Sequence, residues 1–170
     1  MKNRTKHAGL QTIVGVLLLC LPVLSGCQKN NLKDTDTIRL KDVRENSAYA
    51  SVPLIGTKWR LVGFVDERQK VIKLVARPDD FRESFTVILK EDRTIEGRTS
   101  SNIAIGNYSF NTSTHNKIVI NSFKAATEIG EIYDSEFYIE CMRKVHEFKI
   151  DRRGLALMYD RSKYLLFQPY

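Results

Sequence analysis

Residues 131–168 read EIYDSEFYIECMRKVHEFKIDRRGLALMYDRSKYLLFQ, and the change of period inside this stretch decides the fold class. In its first half Tyr133, Phe137, Cys141 and Val145 recur every fourth residue, a spacing that gathers side chains on one face of an α-helix. Glu131, Asp134 and Glu136 come early and Arg143, Lys144 and His146 late, the order that complements a helix dipole. The spacing predicts a helix over about 131–147, with Cys141 turned inward as a small apolar residue. The period then drops to two. Phe148–Asp151, Leu155–Tyr159 and Tyr164–Gln168 read as three short strands, joined by the polar turns Asp151-Arg152-Arg153-Gly154 and Asp160-Arg161-Ser162-Lys163.

Upstream of the helix the same two-residue period prevails. Trp59, Leu61 and Val65 alternate with Arg60, Val62 and Phe64, and Phe85–Leu89, Thr94–Arg98, Ile103–Phe110 and Lys117–Asn121 read as further strands. One helix set among antiparallel strands gives an α+β domain: an antiparallel, barrel-like β-sheet with one amphipathic helix inserted before the last strands. Residues 53–170 are long enough for one such domain with one core. Residues 27–52 are polar, with Asn30-Asn31 and interspersed Lys and Asp. So little apolar surface does not offset the entropy of ordering, and the segment reads as a flexible tether.

The first 26 residues have the parts of a secretory signal. Lys2, Arg4 and Lys6 form a basic start without acids, and an apolar run follows from Ile13 to Leu24. The run is short for a membrane-spanning helix, which needs roughly 20 apolar residues. Leu24-Ser25-Gly26-Cys27 resembles the bacterial lipobox, an aliphatic residue and two small ones before a cysteine. The resemblance implies cleavage before Cys27, a diacylglycerol thioether on its sulfur and a palmitate-type acyl chain on its amine. The chain is then a membrane lipoprotein of the cell envelope. Gln28, and not an aspartate, follows the cysteine, which favours the outer membrane and leaves periplasmic or surface display open.

Cleavage changes the charge argument. The whole chain carries +7, but the signal takes three cations and no acid, leaving 24 basic against 20 acidic residues. That interspersed surface is a poor fit to nucleic acid. Cys20 leaves with the signal and Cys27 is acylated, so Cys141 has no partner for an intramolecular disulfide. His115 and His146 have no metal-binding spacing, so neither a metal nor a cofactor is expected. Glu136, Glu140 and Lys144 lie four apart, which reads as a solvated charge row rather than a catalytic carboxylate pair. His146 near the helix end and His115 in a turn read as surface residues. With no nucleophile elbow, phosphate loop or zincin motif, the chain is not expected to be an enzyme. Asp36-Thr37-Ile38 is similar to the acceptor tripeptide of Bacteroidetes-type O-glycosylation, which would place a glycan on Thr37.

Gly56-Thr57-Lys58-Trp59-Arg60-Leu61 resembles the opening of a META/HslJ-like domain. Gly97, Gly106-Asn107-Tyr108, Ala126-Thr127, Glu136-Phe137 and Val145-His146-Glu147-Phe148-Lys149-Ile150 follow in the same order, as does Leu155-Ala156-Leu157. The resemblance covers about Leu54 to Tyr170 and implies an envelope module tied loosely to stress or outer-membrane integrity. Two cysteines of the usual pattern are absent, since the corresponding stretches read Arg98-Thr99-Ser100-Ser101-Asn102 and Thr127-Glu128-Ile129-Gly130. Any role of that pair is not carried over. Gly56-Thr57-Lys58-Trp59 also resembles the Gly-x-Trp start of lipocalins, which implies a small hydrophobic ligand with Trp59 lining or capping the core. The expected function is a membrane-anchored, non-catalytic binding or envelope-integrity module, with another envelope protein as partner. A lipocalin-like ligand binder is the alternative.

Overall fold

Valine, isoleucine and aromatic residues at alternate positions, cut by short polar turns, put most of this chain into one sheet. The computed structural model describes residues 36–76, 83–110, 116–127 and 129–170. All of them fall in one compact unit, Leu32–Tyr170. The strands are β1 (Thr37–Arg39), β2 (Lys58–Asp66), β3 (Val71–Leu74), β4 (Thr86–Leu89), β5 (Thr94–Arg98), β6 (Ile103–Phe110) and β7 (Ile118–Ala125). The helix α1 (Ser135–Arg143) comes next, followed by β8 (Glu147–Asp151), β9 (Gly154–Asp160) and β10 (Lys163–Pro169). The order across the sheet is β7-β6-β5-β4-β2-β10-β9-β8, and β3 pairs with both β2 and β1.

β2 is the pivot. Lys58–Arg60 pair with β4, Gly63–Asp66 pair with β3, and its other edge runs along β10, all antiparallel. A single antiparallel bridge, Lys117 to Glu147, links the outer strands β7 and β8, so the sheet curls into a half-barrel. The expected α+β class and the helix ahead of the last three strands are therefore observed.

α1 fills the inner side. Its Tyr138 ring meets Phe85 at 5.6 Å and Phe123 at 5.5 Å, both edge-on, a favoured geometry for aromatic pairs. Trp59, Leu61, Leu89 and Leu157 complete this core with no exposed surface. The helix is shorter than expected and turned. Its buried stripe is Tyr138, Cys141 and Met142, continuing to Val145, while Tyr133 is 57% and Phe137 43% exposed. Tyr133 has φ +54°, a left-handed conformation that a helix cannot include, so the periodicity taken from Tyr133 belongs partly to the loop. Cys141 is buried, as expected.

A bulge corrects the first strand. Gly63 pairs with Leu166 but Leu61 pairs with Phe167, leaving Val62 as an extra residue on β2. The phase slips by one. Phe64 joins Trp59 and Leu61 inside, and Val65 turns to the outer face with Ile72 and Leu166. Gly63 permits the crossing, because a Cβ there would lie 2.2 Å from the Lys73 carbonyl oxygen.

The expectation of a tether over 27–52 fails for its described part, residues 36–52. β1 pairs with β3, two 3-10 turns follow at Leu40–Asp42 and Ser47–Ser51, and Leu40 and Val43 are buried. These two residues cover the outer apolar face formed by Val65, Ile72, Ala156 and Leu166. A sparsely apolar segment orders because the sheet supplies the partner surface.

Candidate functional site

The residues expected to matter do not converge. Cys27 and His115 lie outside the described residues. Thr37 is exposed on β1. Trp59 belongs to the core, and its indole N–H donates to the Leu54 carbonyl at 3.2 Å. Glu140 and Lys144 form an exposed ion pair on α1 with Glu136 also exposed, as the charge-row reading expects. His146 is exposed, its ring 3.3 Å from the Lys144 carbonyl. No helix among the described residues is long and apolar enough to cross a membrane, and no cluster of metal-ligating side chains occurs among them.

The structure assembles instead a polar junction that sequence reasoning missed. The β5–β6 connection, Thr99-Ser100-Ser101-Asn102, is buried although every residue is polar. It faces the loop that leads into α1. Asn102 is the centre: its amide nitrogen donates to the Ile129 carbonyl at 2.6 Å and to Glu131 Oε1 at 2.8 Å. Its amide oxygen accepts from the Ile129 N–H at 3.1 Å and from the Thr127 hydroxyl. The Thr99 hydroxyl donates to Glu131 Oε1 at 3.0 Å. The Ser135 hydroxyl donates to Ser100 Oγ at 2.6 Å, the Ser100 N–H donates back at 3.1 Å, and the Ser100 hydroxyl reaches the Ile132 carbonyl. At the edge of this junction the Asp134 carboxylate, buried, meets Lys73 of β3 at 2.6 Å.

The chemistry here is that of a clamp. Hydroxyls and an amide satisfy the backbone of a loop that a sheet ladder does not reach. The Ser100 and Ser135 hydroxyls contact each other and the backbone, with no imidazole or amine among their partners. A run of four small polar residues between two strands was the only signal in the sequence, and it reads equally as an exposed turn.

Burial governs the titratable groups of the core. It raises the Cys141 thiol to about 12, and it raises the Tyr138 and Tyr159 phenols above their ordinary range. Four clefts of about 240 to 430 Å³ open on the outside, between strand ends and turns.

No family model and no curated protein match the chain. The NMR structure of a protein from Burkholderia xenovorans is similar over 74% of this chain and 89% of its own, with 16% identity and a TM-score of 0.52. A crystal structure of a DUF4847 family protein from Bacteroides vulgatus ATCC 8482 aligns over 71% of this chain and 93% of its own, with 15% identity and a TM-score of 0.48. At such identities the likeness to the Burkholderia protein concerns the fold alone.

Proposed function

We propose that the chain is a lipid-anchored module of a bacterial cell envelope, held at the outer membrane through Cys27, which works by binding rather than by catalysis. The observation that carries this reading is Leu24-Ser25-Gly26-Cys27, placed after a basic start and a short apolar run. Each acyl CH₂ buried in a bilayer contributes about 0.8 kcal/mol, and two or three chains make the attachment stable. The META-like order of elements over Leu54–Tyr170 supports an envelope role. Another envelope protein is the expected partner, and the exposed Thr37 is a place for a glycan.

The lipocalin-like alternative draws little support from the inner side of the sheet, where Trp59, Tyr138, Phe85 and Phe123 pack against one another. Ligand sites are usually preformed cavities of roughly 300–1,000 Å³.

Mass spectrometry of the chain purified from its host tests the anchor. The expected N-terminus is Cys27 carrying a diacylglyceryl group. An intact Met1, or a free thiol at position 27, overturns the reading.

A further inference from the structure

Two clefts on the outer side of the sheet, of about 430 and 320 Å³, share Glu67 and Arg153 and so form one trough. Arg39, Lys41, Lys70 and Arg153 line the first, and Lys149, Arg161 and Lys163 extend the second. Against these seven cations stand the carboxylates of Glu67, Asp151 and Asp160 in the lining, and Arg39 and Arg153 are themselves paired with Asp42 at 2.8 Å and Glu45 at 3.2 Å. Glu67 is engaged by the Tyr164 hydroxyl at 3.0 Å, and Asp151 by Lys149 at 3.1 Å and by the Arg153 N–H at 2.8 Å.

Four cations without an ion-pair partner lie together here. Lys41, Lys70, Arg161 and Lys163 have no ion-pair partner among the described residues. Elsewhere Lys58 pairs with Glu83, Lys73 with Asp134, Lys90 with Glu96, Lys117 with Glu147 and Lys144 with Glu140, while Lys124, Arg44, Arg60, Arg68, Arg93, Arg98 and Arg143 also have no ion-pair partner among the described residues.

The chain also enters the folded body at this place. Arg39, Leu40 and Lys41 on the trough wall belong to the first packed residues after Cys27. Eight residues, 28–35, separate Cys27 from Asp36. Even fully extended they reach only about 30 Å, at roughly 3.3–3.6 Å each. A cysteine held in a bilayer would therefore keep Asp36, at the edge of the trough wall, within about 30 Å of the headgroups, a reach that allows contact. Anionic headgroups attract basic segments within about a Debye length, roughly 8–10 Å at moderate salt.

We propose that this trough is the face the domain lays against an anionic lipid surface, its unpaired cations meeting headgroup phosphates. The orientation rests on the anchoring reading, while the charge match does not, and the two fail separately.

The test uses the mature chain from position 27 carrying Cys27→Ser, so that no acyl chain contributes. It is sedimented with vesicles of phosphatidylcholine alone or with 30% phosphatidylglycerol, at about 50 mM salt. The expected result is at least fivefold more bound chain on the anionic vesicles, lost at about 500 mM salt. Lys41→Gln, Lys70→Gln, Arg161→Gln and Lys163→Gln together should lower binding at least fivefold. The same loss of net charge through Lys90→Gln, Lys117→Gln, Lys124→Gln and Lys144→Gln should lower it less than twofold.

Equal binding to both vesicles, or equal loss in the two variants, overturns the trough. So does displacement by about 10 mM inorganic phosphate at constant ionic strength, which would make it a site for the free anion. None of these outcomes touches the mass of the acyl group on Cys27, which reports on the anchor alone.

Discussion

Tyr138 sits where α1 meets the sheet, and its ring and hydroxyl pull in opposite directions. The ring packs on Phe85, Phe123 and Phe167. The hydroxyl is fully buried with no hydrogen-bond partner among the described residues. Burying an unpaired hydroxyl costs about 1–3 kcal/mol, so Tyr138→Phe should leave stability unchanged or raise it by about 1 kcal/mol in urea unfolding. A loss above about 1.5 kcal/mol would show that the hydroxyl is bonded after all. Cys141 lies one turn further along. Only a thiolate reacts readily, and burial holds this thiol protonated until about pH 12. In native protein at pH 7 to 9 Cys141 should therefore resist a thiol reagent, and it should react in denaturant. Fast native labelling at Cys141 would contradict its place in the core.

At the scale of elements, the hairpins β8–β9 and β9–β10 were plain in the sequence, because a polar turn between two alternating runs is a local signal. The limits of β6 were equally plain. The helix was legible in kind but not in phase, because Tyr133 and Phe137 satisfy the period while sitting at the rim, Phe137 against Phe64 at 4.8 Å. The Val62 bulge and the short strand β1 depend on partners far along the chain, so no local period announces them, while β3 pairs with β2 across a four-residue turn but is itself only four residues long. The polar junction was hidden for the same reason: its meaning lies in burial. Asn102→Ala removes the group that ties β6 to the loop before α1. It removes both partners of the Ile129 backbone and one of the two donors to Glu131 Oε1, leaving Thr99, at about 1–3 kcal/mol for each group left unpaired. The expected loss in urea unfolding is about 2–4 kcal/mol, against less than about 0.5 kcal/mol for the exposed Asn107→Ala. Equal small effects would mean the junction is solvated. The outer layer has its own test. Leu40→Ala should cost about 2–4 kcal/mol, since large-to-small changes at packed sites fall in that range, while a removable tether would lose nothing.

For the whole molecule, the packed start of the domain shortens the stretch of chain between Cys27, the proposed anchor, and the folded body. The sequence placed the boundary near Pro53, because residues 27–52 are too polar to form a core of their own. They do not need one: residues 37–43 borrow the outer face of β2, β3 and β10, and Leu40 donates its N–H to the Lys70 carbonyl at 2.8 Å. Further on, the Asn46 N–H donates to the Arg152 carbonyl at 2.8 Å, and Glu45 pairs with Arg153. A protease must draw several residues into an extended form, so sites within this stretch open only as fast as the packing does. Trypsin has targets on both sides of the first strand: Lys29 and Lys33 before it, and Arg39, Lys41 and Arg44 in and after it. Limited digestion of intact envelopes should therefore release a domain beginning at Asn30 or Asp34, identified by its N-terminal sequence and mass. A first product beginning at Leu40, Asp42 or Glu45 would mean that β1 and its 3-10 turn are not held. The long tether would then return, and the trough would lose both the wall built by Arg39 and Lys41 and the short reach to a bilayer on which its proposed orientation rests.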